Sequence, residues 1–176
     1  HGGEPHAPGL NNKLNEHIDK VACQTCHIPA FARGGKATKT WWDWSTAGQN
    51  REARTDEFGM PVYDKKKGDF TWERNVVPAY RWYNGQADYY QLGEVIDPYK
   101  KVPINTLSGD MEDPASKITP FKLMGGKQIY DADNNYLITP KLFGTDGYWS
   151  TFDWNKSAEL GMAETQLAYS GNYGFI

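Results

Sequence analysis

Residues 22–28 read Ala-Cys-Gln-Thr-Cys-His-Ile and contain the only two cysteines of the 176-residue chain. Cys23 and Cys26 are three positions apart, and His27 follows the second cysteine directly. On a helical turn, positions i and i+3 lie on one side of the backbone, so both thiols can reach the two vinyl groups on one edge of a porphyrin. This spacing is the attachment pattern of c-type haem.

His27 is adjacent to Cys26, so its imidazole can bind the iron of such a haem from the proximal side. The predicted cofactor is therefore haem c with its iron, carried by Cys23, Cys26 and His27. Haem is attached in this way outside the cytoplasm, and the motif predicts a periplasmic or extracellular location.

Three other uses of a CxxC pair are less consistent with the sequence. A thioredoxin-like motif belongs to a βαβ unit, and no such pattern surrounds residues 23–26. A zinc knuckle needs four ligands, and the four histidines of the chain form no HxxxH pair. A disulfide between Cys23 and Cys26 stays open as an alternative, although it would be strained.

A helix is predicted to run into the haem motif, because apolar residues recur at i, i+4 and i+7 along Leu14–Ala22. Asn11 or Asn12 is the predicted N-cap. Pro29 is predicted to end the helix near His27, since the residue before a proline avoids the α region.

The other three histidines lie within the first 17 residues. His17 is ten positions before His27, which places it roughly 80° away around one continuous helix. We therefore expect His17 to serve a different haem or, as the alternative, to be a surface histidine. His1 would be the proximal ligand of a preceding haem if a Cys-x-x-Cys stood before it, and a flexible terminus is the alternative. His6 lies in the same histidine-rich segment.

Composition excludes two classes of function and indicates a fold class. The 22 acidic residues outnumber the 19 Lys and Arg, so a strongly basic nucleic-acid binder is excluded. No run of 18 apolar residues could span a membrane. Hydrophobic residues are 39% of the chain but aromatics are 14%, so the core needs large flat groups, either its own rings or a bound cofactor.

These patterns predict an α+β, loop-rich fold with few regular elements, in which short helices surround haem and small β-hairpins pack beside them. We expect a single domain over residues 1–176, with a haem-binding segment at 1–48 and an aromatic-rich packing segment at 49–176. The predicted hairpins pair 58–63 with 69–73 and 127–130 with 136–139. The predicted helices are 86–92 and 154–168, the second capped by Asp153.

Some side chains outside the motif have both a functional and a structural interpretation. Arg33, Lys36 and Lys39 could neutralise haem propionates or attract an anion, but exposed cations usually face water. The tryptophans at positions 41, 42 and 44 are expected to pack against porphyrin or the core. Calcium could bind at Asp110, Glu112, Asp113 or the 131–135 turn, but the EF-hand spacing is missing and a solvated turn is favoured.

Four stretches resemble the octahaem tetrathionate reductase family of c-type cytochromes. They are LNEHIDKVACQTCHIPAFARGGKATKTWWDWSTAG (14–48), KKGDFTWERNVVPAYRWYNG (66–85), DPASKITPFKLMGGKQIYD (113–131) and LAYSGNYGFI (167–176). Together they extend over nearly the whole chain. The WWDWSTAG and PAYRWYNG runs are more specific than the haem motif, which many families share.

The resemblance implies a periplasmic multihaem oxidoreductase with closely stacked haems that reduces tetrathionate, nitrite or hydroxylamine. The matched motif is the penultimate haem site, with Cys23 and Cys26 as attachment residues and His27 as proximal ligand. His6 and His17 are expected as distal ligands of neighbouring haems. The family's catalytic haem has a distal lysine, and neither that lysine nor its haem motif matches any position here.

A complete member carries a series of haem motifs, whereas one is present here, so we expect the chain to be the C-terminal part of a larger multihaem cytochrome. The expected partners are other haems of the same or adjacent chains, redox proteins and a small oxyanion substrate, and an oligomer is compatible with the sequence. The alternative is a non-catalytic electron-transfer cytochrome or a subunit of an extracellular cytochrome assembly.

Overall fold

The computed structural model describes residues 4–7 and 12–176. They form two compact units. Unit 1 comprises the described residues of His1–Gly35 together with Arg74–Tyr89 and Asn105–Leu123, and unit 2 comprises Lys36–Glu73, Tyr90–Ile104 and Met124–Ile176. The predicted single domain over residues 1–176, with a haem-binding segment up to residue 48, stays a prediction.

Short helices and small sheets make up the regular structure, so the predicted α+β, loop-rich class is confirmed. The helices are α1 (Lys13–Glu16), α2 (Cys23–His27), α3 (Tyr148–Thr151) and α4 (Trp154–Thr165), with 3-10 turns at His17–Asp19 and Trp44–Thr46. The strands are β1 (Thr38–Asp43), β2 (Tyr63–Asp64), β3 (Gly68–Glu73), β4 (Ala79–Tyr83), β5 (Ala87–Tyr89), β6 (Asn105–Leu107), β7 (Lys117–Phe121), β8 (Gly125–Lys127), β9 (Ile129–Asp131), β10 (Tyr136–Leu137) and β11 (Tyr173–Phe175). None of the described helices is long and apolar enough to cross a membrane.

In unit 1 the helix before the haem motif is interrupted, so the predicted continuous helix over Leu14–Ala22 is wrong. Helix α1 gives way to a 3-10 turn, and Val21 then forms a parallel bridge with Ile118 of β7. The amide of Val21 still donates a helical bond to the His17 carbonyl, but the amide of Ala22 and the carbonyl of Lys20 bond to Ile118 and do not continue the helix. The predicted boundaries are confirmed, since Asn12 is the N-cap residue of α1 and the last residue of α2 is His27, with Ile28 as its C-cap before the proline.

The strands of unit 1 form two antiparallel pairs, β4 with β7 and β5 with β6. The helix predicted over 86–92 is therefore wrong. Ala87, Asp88 and Tyr89 instead pair with Leu107, Thr106 and Asn105. Because strand pairing depends on a partner about 20 positions further along the chain, local propensity was overridden by tertiary context.

Unit 2 contains a four-stranded sheet in the order β2-β3-β1-β8 and a three-stranded sheet in the order β10-β9-β11. Strands β1 and β3 are antiparallel, and β8 runs parallel to β1. The hairpins β2–β3 and β9–β10 confirm the two sequence predictions, although β2 is limited to Tyr63–Asp64.

The core of unit 2 is largely aromatic. Tyr148 is 1% exposed, and its ring stacks on that of Trp154 with centroids 3.7 Å apart. Trp44 stacks on the same indole at 6.1 Å, which confirms the core interpretation for this tryptophan. Helix α4 carries Trp154 into the core, and the carboxylate of Asp153 accepts a bond from the Lys156 amide, as predicted for the cap.

Candidate haem site

Helix α2 is formed by the five residues of the CxxCH motif itself. It begins after Ala22, which has extended backbone angles, and ends at Ile28. Both cysteines are exposed free thiols. His27 is also exposed. The two sulfur atoms and the imidazole are thus accessible to a group as large as a porphyrin.

Strand β7 anchors this helix through the backbone of Ile118. The Ile118 carbonyl accepts hydrogen bonds from the Ala22 amide at 3.0 Å and from the Thr25 hydroxyl at 2.6 Å. The Ile118 amide donates to the carbonyl of Lys20 at 2.8 Å. Both the start of α2 and its middle are therefore fixed to a sheet. Sequence reasoning gave no signal for Thr25, because its partner lies 93 residues away.

The imidazoles of His6 and His27 form a parallel pair. Their ring planes differ by 9° and their centroids are 6.5 Å apart. Direct stacking contact would need a much shorter distance. Two metal–imidazole bonds of about 2 Å each, with the distance from nitrogen to ring centre added on both sides, span roughly 6 to 6.5 Å. The separation of the two ring centres therefore agrees with that of two imidazoles bound to one metal ion.

One ring nitrogen of His6 makes no hydrogen bond within the described residues. Its Nδ1 is buried and has no hydrogen-bond partner in the described part of the chain. The backbone of His6 is held by Asn15, whose Oδ1 accepts from the His6 amide at 3.0 Å and whose Nδ2 donates to the His6 carbonyl at 3.1 Å. A fixed backbone suits an iron ligand, because the ligand must keep one position.

The remaining histidines do not join this pair. His17 begins the 3-10 turn after α1 and is exposed. Its predicted position at about 80° from His27 is wrong, because the continuous helix on which that angle depends is interrupted. His1 lies outside the described residues. The assignment of His6 to a neighbouring haem is less consistent with the geometry than assignment to the haem of His27.

The cationic side chains near the motif differ in their surroundings. Arg33 and Lys36 are exposed, as the solvent-facing interpretation expects. Lys39 Nζ lies 3.6 Å from the ring centre of Phe70 and 5.0 Å from that of Trp72. Burial first, and then the charge of Lys67, lower the pKa of Lys39. Lys39 therefore makes cation–π contacts within its own sheet.

The other two tryptophans singled out from the sequence differ in exposure. Trp41 is exposed and Trp42 is half-buried. Both lie against β8, because a Cβ added at Gly125 or Gly126 would collide with the rings of Trp41 and Trp42 respectively. Trp42 Nε1 is buried and has no hydrogen-bond partner within the described ranges.

The acidic turn at 131–135 is not the solvated turn expected from its composition. Asp131 is fully buried, and five donors reach its carboxylate, from the backbone of Asp133, from the backbone and side chain of Asn134, and from both the amide and the hydroxyl of Ser170. Burial alone would raise the pKa of Asp131, but these bonds hold it below its ordinary value. Across residues 4–7 and 12–176 no group of three or more His, Cys, Asp or Glu side chains could hold a metal ion.

Comparison with known proteins gives one family and one solved structure. Residues 39–176 match the family model described as "Cytochrome c bacterial". The fold is similar to that of octahaem cytochrome c from Shewanella oneidensis, with a TM-score of 0.89 and 48% sequence identity over 98% of this chain. The chain spans 41% of the length of that protein. No curated protein matches the chain.

Proposed function

The chain belongs to the bacterial cytochrome c family, and we propose that its CxxCH motif carries an electron-transfer haem closed on both faces by imidazole. A multihaem c-type cytochrome that transfers electrons through haem c is the class supported by the family and by the 48% identical octahaem protein. The segment described here contributes one covalent attachment site to such an assembly.

Each residue of the site has a distinct role in this proposal. Cys23 and Cys26 bind the vinyl groups through thioether bonds, and His27 provides the proximal nitrogen. His6 provides the distal nitrogen, and the observation that carries the proposal is its parallel ring 6.5 Å from that of His27. When bound, the haem iron takes up and releases one electron at a potential set by its axial ligands.

Two imidazoles on one iron would leave no axial position for a substrate. A haem held in this way serves electron transfer rather than binding and activation of a small molecule, which need an open distal side. This favours a relay role for the CxxCH haem of this chain. Any substrate chemistry would take place at another haem of the larger protein.

We extend the proposal to the rest of the multihaem protein. His17 is a candidate distal ligand of a neighbouring haem because its imidazole is exposed and lies ten positions before His27 in the sequence, and His1 is a candidate proximal ligand of another. Thioether attachment is made outside the cytoplasm, which supports a periplasmic or extracellular location. Redox proteins would be the electron partners.

The proposed activity of the larger protein is reduction of tetrathionate, nitrite or hydroxylamine. It is supported by the four stretches that resemble the octahaem tetrathionate reductases, and the catalytic haem would lie outside this chain. Oxidation of reduced methyl viologen by each substrate tests it in the full-length haem-loaded protein. No turnover with any of the three would overturn the reductase role and leave electron transfer alone.

The axial pair is tested by His6→Ala in the full-length haem-loaded protein. Loss of the distal imidazole should create one additional five-coordinate, high-spin haem per molecule, which binds carbon monoxide when reduced. Lys13→Ala, which changes an exposed residue of α1 in the same segment, should leave the spectrum unchanged. A His6→Ala protein with the carbon monoxide stoichiometry of the wild type would overturn the pairing of His6 with His27.

A further inference from the structure

We propose that Asn15 is the positioning residue that holds His6 opposite His27. This inference rests on the proposed role of His6 as distal ligand, and it adds a residue that no motif identifies. Asn15 lies in the short helix α1, and its side chain is 7% exposed although asparagine is usually a surface residue. A buried amide of this kind is retained only where its hydrogen-bonding groups are satisfied.

The amide of Asn15 binds both polar backbone groups of a single residue. Its Oδ1 accepts from the His6 amide, and its Nδ2 donates to the His6 carbonyl, at 3.0 and 3.1 Å. Nδ2 also donates to Oδ1 of Asn12 at 2.7 Å, which fixes the amide plane. An amide side chain can supply the required donor and acceptor together, whereas a carboxylate can only accept.

The arrangement matters because the segment around His6 has no regular structure of its own. Residues 4–7 belong to no helix or strand, so their backbone groups have no ladder to fix them. Asn15 replaces that ladder with two hydrogen bonds to the backbone of His6. The same stretch continues through the 3-10 turn to α2, which carries His27.

Asn15 acts on coordination only through His6, so loosening it should weaken the distal bond without removing the ligand. Asn15→Ala removes both hydrogen bonds to the His6 backbone as well as the bond to Asn12, and from the loss of the two His6 bonds we expect the affinity of that haem for carbon monoxide to rise about tenfold to a hundredfold. In Asn15→Asp the Nδ2 donor is lost and an acceptor oxygen faces the His6 carbonyl, so the rise should be larger.

The experiment is carbon monoxide titration of the reduced full-length protein, with the midpoint potential of the affected haem as a second readout. His6→Ala gives the carbon monoxide affinity of a haem without the distal ligand. The affinity of Asn15→Ala should lie between this value and that of the wild type. Asn84→Ala is the matched control, because it removes a side-chain bond of 2.8 Å to Asp113 in the same unit. It should behave as the wild type in both measurements.

The possible results separate this inference from the function on which it rests. If His6→Ala opens the haem but Asn15→Ala has wild-type carbon monoxide affinity and potential, the role of Asn15 is overturned and the axial pair stands. If His6→Ala itself changes nothing, the axial pair is wrong. Should Asn15→Ala not accumulate with haem, Asn12→Ala removes only the bond that orients the amide, and wild-type behaviour of that variant overturns the inference.

Discussion

Thr25, which lies between the two cysteines of the haem motif, donates a hydrogen bond of 2.6 Å to the carbonyl oxygen of Ile118. The same carbonyl accepts from the Ala22 amide, so one peptide group of strand β7 anchors two points of a five-residue helix. Such a short helix has little stability of its own. Its position therefore depends on this strand.

Thr25→Val should destabilise the protein modestly. The hydroxyl donor is lost, but the Ile118 carbonyl keeps its bond from Ala22, so we expect a loss of about 1 kcal/mol in the free energy of unfolding. Denaturant titration of the haem-loaded protein measures this loss, and Thr25→Ser, which keeps the donor, is the control. Equal stability of the valine variant and the wild type would show that the Thr25 bond contributes nothing.

Gly161→Ala should be strongly destabilising, although alanine normally favours a helix by about 1 kcal/mol over glycine. Gly161 is buried in α4, where an added Cβ would collide with the backbone of Thr139 and Pro140. Thermal unfolding should show a lower midpoint, whereas Glu164→Ala on the exposed face should have little effect. A stabilised Gly161→Ala protein would mean that α4 and the 139–141 segment do not approach closely.

Asp131 should make stability depend on pH. Its folded-state pKa is lowered, so its contribution is fully present above the unfolded value of about 3.9 and is lost as pH falls through the folded value. Asp131→Asn removes the negative charge to which the five groups donate hydrogen bonds. We expect the free energy of unfolding to fall by about 3 kcal/mol at pH 7. Urea unfolding should show that the difference in the free energy of unfolding between Asp131→Asn and the wild type becomes smaller at low pH. A difference that is constant with pH would exclude this linkage.

His17→Ala distinguishes a haem ligand from a surface histidine. If His17 is the distal ligand of a neighbouring haem, the full-length variant should bind one additional carbon monoxide, and the His6→Ala/His17→Ala double variant should bind two. The effects of the two substitutions on the number of bound carbon monoxide molecules are then additive, because the two histidines bind different irons. A His17→Ala protein with wild-type stoichiometry would identify His17 as an exposed side chain without iron.

The helical turn that carries Cys23, Cys26 and His27 could be predicted from the sequence because it is local. The haem attachment proposed for these residues depends on their spacing alone. The cap at Asp153 and the hairpin around residues 131–136 were predictable for the same reason, since a cap and a tight turn need only neighbouring residues.

The parallel pair of His6 and His27 could not be predicted, because it depends on contacts between separate parts of the chain. The periodicity of Leu14–Ala22 indicates one helix, but pairing of Val21 with Ile118 interrupts it, and the angle inferred for His17 is lost with it. The Asn15 amide that binds the backbone of His6 is buried. Nothing in the pattern of the first 17 residues indicates which asparagine would be buried.

Peptide mapping of the native protein by mass spectrometry tests the central claim most directly. The account predicts that the peptide containing Cys23 and Cys26 carries one additional haem, about 616 Da, bound at both sulfur atoms. Free thiols at both positions, or a disulfide between them, would contradict covalent attachment and with it the proposed electron-transfer site.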